Sequence, residues 1–238
     1  MSASNTNWDS LYKTAGISAL ILLVYSLVTM VSLIVLGGIP ETAREGFDLL
    51  AENRLAGLLR LDVLTTLVMP LYYLLLLGLY GGLRGTDGAK SLLAAILGMA
   101  GVTLVLATPS AFSFLTLSDK FAAATDEAQR TLLLAAGEAT LASDLWHGSG
   151  ALMGGLMLQT STLILSVVML RSANFSKVTA WVGVVMHGLD LLHIVAGFFV
   201  PATGVALMMV AGPLYLVWFP LLARNFFRLG KENTLWAS

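Results

Sequence analysis

The sequence MHGLDLLHIVAG, from Met186 to Gly197, places two of the chain's three histidines and one aspartate inside a long apolar run. The surrounding residues 179–200 are long enough to cross the hydrocarbon core of a membrane, which needs about 20 helical residues. Ionisable side chains at that depth are costly, so they are usually partnered and often mark functional sites. We therefore predict a membrane-spanning helix here that carries part of a polar site.

The composition of the whole chain is that of a membrane protein. Of its 238 residues 57% are hydrophobic and 11% are charged, and the mean hydropathy is +0.84, far above that of a soluble domain. No cysteine is present, which excludes disulfides and thiolate metal sites. No basic run indicates nucleic-acid binding, and the sequence identifies no cofactor.

Apolar runs of spanning length predict an all-α, polytopic membrane protein with six transmembrane helices. The predicted organisation is a cytoplasmic segment 1–14, a single transmembrane domain 15–230 and a cytoplasmic tail 231–238. The predicted spans are residues 15–38, 58–81, 91–117, 146–170, 179–200 and 204–223.

Two longer connections also have helical periodicity, so we predict two outer amphipathic connecting helices, in Pro40–Leu59 and Lys120–Glu138. The first either lies on the bilayer surface with its charges in solvent or forms an acidic strip that collects cations.

The distribution of lysine and arginine predicts the orientation. Eight of these residues fall on the side of the termini and five on the other side. Positive residues are enriched in cytoplasmic loops, so both termini are expected in the cytoplasm. The opposite, outer side is acidic.

Two D-x-x-H pairs, Asp144 with His147 and Asp190 with His193, suggest a metal site built from facing helices. The histidines differ by nine residues in their distance from the inner ends of their spans, which corresponds to about 13 Å. One shared metal is therefore not expected, and we predict no metal ligands.

Every predicted span has a polar side chain near the middle of the membrane. This belt is either a hydrogen-bonded network that fixes packing or the lining of a cavity that holds a ligand. Several polar residues lie nearer the outer side, so a cavity would open outward. The predicted ligand-binding residues are His187, Asp190, His193, Gln159, Tyr72, Arg60, Asp62 and His147.

Small residues at Gly150 and Gly154 form a G-x-x-x-G motif, which lets helix backbones approach closely. We predict that this face packs inside the protein, most simply against the fifth span. The alternative is a contact with a partner helix.

Several short segments carry a family resemblance: AENRLAG at Ala51–Gly57, LRS at Leu170–Ser172, GLDLL at Gly188–Leu192 and the amphipathic end Arg224–Gly230. With the six predicted spans, they make the chain resemble a bacterial membrane-protein family known as domain of unknown function 4386. The resemblance covers nearly the whole chain and implies a six-helix protein of the bacterial inner membrane. It implies no catalytic residues.

These patterns leave three functional hypotheses. The first is a binding protein whose outward-opening polar cavity holds a small ligand or lipid headgroup, with His187, Asp190 and Gln159 as anchors. In it, Arg60, Asp62 and His193 form a gate. The second is a non-catalytic accessory subunit of a larger membrane complex, and the third is a metal-dependent intramembrane hydrolase acting on a lipid. No catalytic residue is assigned.

Overall fold

The computed structural model describes residues 6–144 and 148–235, which form ten helices and no strand. The helices are α1 Thr6–Leu36, α2 Ala43–Glu52, α3 Arg54–Arg60, α4 Val63–Val68, α5 Leu71–Leu106, α6 Ala111–Ala123, α7 Glu127–Leu141, α8 Ser149–Met169, α9 Lys177–Phe199 and α10 Pro201–Leu235.

Five helical segments of the described chain are long and apolar enough to cross a membrane. Large apolar side chains are exposed along them; on α1, for example, Val24, Val31 and Ile34 are 57%, 54% and 76% exposed. Apolar surface of this extent is favourable in contact with lipid and unfavourable in contact with water. The chain is therefore an all-α, multi-pass membrane protein. The segments are Trp8–Leu36, Leu71–Ala123, Ser149–Met169, Lys177–Phe199 and Pro201–Lys231.

The chain packs as two compact units. Unit 1 comprises residues 1–26, 70–103 and 154–238, and unit 2 comprises residues 27–69 and 104–153. The charges divide between them: unit 1 has eight Lys or Arg and four Asp or Glu, whereas unit 2 has five and ten. Unit 1 is therefore net positive and unit 2 net negative.

Helix α5 is a helical hairpin. Its backbone leaves helical geometry at Asp87, with φ −153° and ψ 87°. The hydroxyls of Tyr73 and Thr103 are 2.8 Å apart, although thirty residues of straight helix would separate them by about 45 Å. A first arm, residues 71–86, therefore lies antiparallel to a second arm, residues 88–106. The predicted spans 58–81 and 91–117 left residues 82–90 between them, but the helical backbone is interrupted only at Asp87. The Asp87 side chain caps the second arm by accepting from the Lys90 N–H at 3.1 Å.

The predicted spans 58–81 and 91–117 are less continuous than their apolar patterns suggested. Helix α3 ends where Asp62 adopts a left-handed conformation, with φ 55°, which breaks the helical hydrogen-bonding pattern. Pro70 follows α4 and lacks the N–H that would continue it. Residues 107–110, which include Pro109, separate α5 from α6.

Unit 2 is organised around the ring of Phe47 in α2. This ring lies 4.8 Å from the ring of Phe114 and 5.2 Å from that of Phe121, both in α6. A Cβ on Gly137 of α7 would come within 2.8 Å of it. If α2 lay on the bilayer surface, Phe47 would face lipid; instead it is 2% exposed and covered by α6 and α7.

Candidate functional site

Four side chains of unit 1 form one hydrogen-bonded group, which we call the polar cluster: Gln159 of α8, His187 and Asp190 of α9, and Tyr215 of α10. The Gln159 Nε2 donates to Asp190 Oδ2 and to the Tyr215 hydroxyl oxygen, both at 3.0 Å. The Tyr215 hydroxyl donates to Asp190 Oδ2. The His187 Nδ1 lies 2.6 Å from Gln159 Oε1. The cluster therefore joins three helices through polar contacts.

Helical spacing explains why these side chains converge. His187 and Asp190 are three residues apart on α9, which places both on one face. Tyr215 and Trp218 have the same spacing on α10. Gly183, one turn before His187, keeps the two helices close, because a Cβ there would lie 2.6 Å from Trp218 Nε1.

The hydrogen-bonding pattern determines where the imidazole proton sits. Asp190 Oδ2 accepts from the Gln159 amide as well as from Tyr215, so the amide turns its NH₂ group toward Asp190 and its oxygen toward His187. That oxygen accepts only, so the proton is on His187 Nδ1. In a neutral imidazole, Nε2 is then a hydrogen-bond acceptor.

Two buried polar atoms beside the cluster have no hydrogen-bond partner among the described residues: His187 Nε2 and Trp218 Nε1. His187 is 1% exposed and Trp218 is fully buried, and their rings pack edge to face with centroids 4.7 Å apart. Leaving such atoms unpaired costs about 1–3 kcal/mol each. One is an acceptor and the other a donor, so a single small polar group could satisfy both.

Aromatic rings line the site and include the predicted residue Tyr72. The Phe219 ring lies 5.6 Å from the rings of Tyr215 and Trp218 and 6.5 Å from that of Tyr72. The Phe219 ring therefore lies between Tyr72 and Tyr215 of the polar cluster and packs against both. Tyr72 comes from the first arm of α5, which adds a fourth helix to the site.

The predicted residues Arg60 and Asp62 belong to unit 2 and form their hydrogen bonds within it. The Arg60 Nε donates to Gly38 O at 2.6 Å, and its Nη2 donates to Glu45 at 2.8 Å. The backbone N–H of Glu41 and the Arg60 guanidinium lower the pKa of Glu45. The Asp62 carboxylate accepts from the Thr65 hydroxyl at 2.7 Å. Both predicted residues therefore hold local structure together.

The two D-x-x-H pairs have different outcomes. His193 does not contact Asp190 by hydrogen bonding; its Nδ1 donates to Gly204 O at 3.0 Å and ties α9 to the start of α10. His147 lies outside the described residues, so the pair with Asp144 cannot be placed. Within residues 6–144 and 148–235, no three His, Asp or Glu side chains converge as a metal site would require.

The G-x-x-x-G face packs inside the chain, but its neighbours are α5 and the residues that directly follow α5. A Cβ on Gly150 would lie 3.4 Å from Thr108 Oγ1. A Cβ on Gly101 of α5 would lie 2.6 Å from the Gly154 carbonyl oxygen. The predicted contact with the fifth span involves the next residue, since a Cβ on Gly155 would meet Ile194 of α9 at 3.4 Å.

Trp218 is the site residue that sequence reasoning missed. Tryptophan in membrane helices is enriched near the two interfaces, whereas Trp218 lies between Val217 and Phe219 inside an apolar run. That position, combined with an indole N–H that needs an acceptor, was the available signal. Tyr215 lies within the sixth predicted span, residues 204–223, but its bond to Asp190 was not predicted.

No protein family, curated protein or solved structure matches this chain. The resemblance to the bacterial family described above therefore stays a prediction.

Proposed function

We propose that this protein is an intramembrane binding protein whose polar cavity opens to the outer side of the membrane and holds a small ligand or a lipid headgroup. The observation that carries the proposal is the pair of buried, unpartnered atoms, His187 Nε2 and Trp218 Nε1. Buried polar atoms in proteins are nearly always satisfied. A bound group would satisfy both, and the polar cluster would hold His187 in the required orientation.

The two atoms restrict the chemistry of the ligand. It must donate to an imidazole nitrogen and accept from an indole N–H, which a hydroxyl group does with its own hydrogen and lone pairs. A charged group is disfavoured, because it would be desolvated with no counter-charge in contact. We therefore propose a neutral, hydroxyl-bearing molecule, such as an alcohol or a lipid with a hydroxylated headgroup.

The proposed setting is a bacterial inner membrane crossed six times, with both termini in the cytoplasm. The hairpin form of α5 supports six crossings, because the 53 residues of Leu71–Ala123 greatly exceed the roughly 20 that one crossing needs. The excess of Lys and Arg supports the orientation. The helices α2 and α3, with α6 and α7, are then the outer connections.

The orientation predicts the labelling of single cysteines, for which the cysteine-free chain is a suitable background. Ala89→Cys and Ala173→Cys, at exposed positions, should react with an impermeant thiol reagent only after lysis. Glu52→Cys and Glu127→Cys, also exposed, should react in intact cells. Labelling of Ala89→Cys in intact cells would contradict the proposed orientation.

The ligand proposal is tested by thermal unfolding of the purified protein with mono-oleoyl glycerol, which has two free hydroxyls, and with methyl oleate, which has none. We expect the first to raise the Tm, by an amount equivalent to about 2.7 kcal/mol at a concentration 100 times the Kd. Methyl oleate should have little effect.

Two substitutions test whether His187 Nε2 and Trp218 Nε1 cause the difference between the two lipids. Trp218→Phe keeps an aromatic ring but removes the N–H, so it should abolish the difference between the two lipids. Trp181→Phe is the matched control, because Trp181 is 57% exposed on α9, and it should preserve that difference. Equal stabilisation by both lipids, or a difference that survives Trp218→Phe, would refute the proposal.

A further inference from the structure

A groove of about 750 Å³ runs along the last part of α10, away from the polar cluster. Three of its lining residues are cationic: Arg224, Arg228 and Lys231, spaced four and three residues apart on one face of the helix. All three are exposed, and none of the residues that line the groove in the described part of the chain is a carboxylate. The groove therefore concentrates positive charge where the apolar part of α10 ends.

Two of these cations are free to bind an anion. Arg228 donates through Nη2 to Asn174 O at 2.6 Å, which anchors it to the segment before α9. Arg224 and Lys231 form no ion pair with any residue in the described part of the chain. One fixed guanidinium between two available cations suits a phosphate group.

Apart from Ser176 and Asn225, the remaining described residues that line the groove are apolar. Its lining includes Leu20 of α1 and Pro220 and Phe227 of α10. Leu20 is 40% exposed, and its neighbours Ile21 and Val24 are 43% and 57% exposed, so the apolar lining continues into the outward surface of α1. A soluble anion would gain nothing from this surface, whereas an acyl chain would bury apolar area against it.

We propose that this groove binds an anionic glycerophospholipid, with the phosphate between Arg224, Arg228 and Lys231 and an acyl chain against Leu20 and Phe227. Basic pockets between transmembrane helices commonly hold such headgroups. The lipid would bridge α10 and α1 at the end of unit 1 where α9 begins.

The test is a titration of the full-length protein in detergent with dioleoyl phosphatidylglycerol, followed by native mass spectrometry. Each cation near the membrane surface contributes about a fivefold gain in affinity for anionic lipid. We expect Arg224→Gln to raise the Kd about fivefold and Arg224→Gln with Lys231→Gln about thirtyfold. Arg224→Lys keeps the charge and should restore most of the binding, which separates loss of the site from misfolding.

Three controls give outcomes that would overturn the proposal. Arg171→Gln removes an exposed arginine of the same unit outside the groove, and an equal loss of affinity would indicate diffuse electrostatic attraction. Equal binding of dioleoyl phosphatidylcholine would show that the anionic charge is not recognised. Competition by glycerol 3-phosphate at the same concentration as the lipid would indicate a site for soluble phosphates.

Discussion

Asp190→Leu should lower the free energy of unfolding by about 1–3 kcal/mol, because it removes two side-chain hydrogen bonds that average about 0.6 and reach about 1.7 kcal/mol each within membranes. The carboxylate accepts from both Gln159 and Tyr215, and leucine would leave those donors without it. Insertion should be unaffected, since leucine is preferred in a span. Reversible unfolding in mixed detergent micelles measures the change.

Asp190→Asn is the matched control for this prediction. Asparagine has nearly the same shape and keeps one oxygen that accepts from Tyr215, so it should lose less than half as much stability as leucine. An Asp190→Leu protein as stable as the wild type would show that the polar cluster contributes nothing to packing. If Asp190→Asn were the more damaging variant, the negative charge would matter more than the hydrogen bonds.

Gly101→Ala should force α5 and α8 apart and lower the free energy of unfolding by about 1–3 kcal/mol, as overpacked interiors do. The new Cβ would lie 2.6 Å from the carbonyl oxygen of Gly154 and 2.9 Å from the backbone nitrogen of Leu158. Neither contact can be relieved by a side-chain rotation, because both atoms belong to the α8 backbone. The same unfolding measurement applies.

Gly188→Ala provides the control, since no atom lies within 4 Å of a Cβ built there. Alanine in an open helical position should raise stability by about 0.5–1 kcal/mol through its better helix propensity. Changes in stability of opposite sign for the two substitutions would show that the loss at Gly101 comes from the close contact between α5 and α8. A loss at Gly188 as large as that at Gly101 would mean that glycine flexibility, and not close packing, explains both.

Long apolar runs were sufficient to predict helices long enough to cross a membrane. The polar residues inside those runs included three that the structure joins by hydrogen bonds, Gln159, His187 and Asp190. Breaks within the runs were not predictable in the same way. The left-handed conformation of Asp62 is one that asparagine and aspartate tolerate, yet many aspartates never adopt it. Periodicity also reports that Phe47 lies on an apolar face without reporting whether lipid or protein covers it.

The partners of Asp190 show why a site is harder to predict than a span. The D-x-x-H spacing paired Asp190 with His193 of the same helix. In the structure, Gln159 and Tyr215 reach it from α8 and α10. Contacts between helices depend on how they are rotated and shifted against each other, which no local pattern encodes. Trp218 was missed for the same reason.

The one-residue turn at Asp87 bears on how the protein is made. The two arms of α5 emerge from the ribosome one directly after the other and meet without any flexible loop to order, so their pairing is a local contact of the kind that forms early. We expect the hairpin to enter the bilayer as a preformed pair of helices. In this pair, polar groups of the two arms, such as the hydroxyls of Tyr73 and Thr103, bond to each other and not to water. The contacts of Gly101 with α8 join residues more than fifty positions apart, and must wait until α8 is synthesised. We therefore expect the α5 hairpin to form first during synthesis, and the later helices to pack against it.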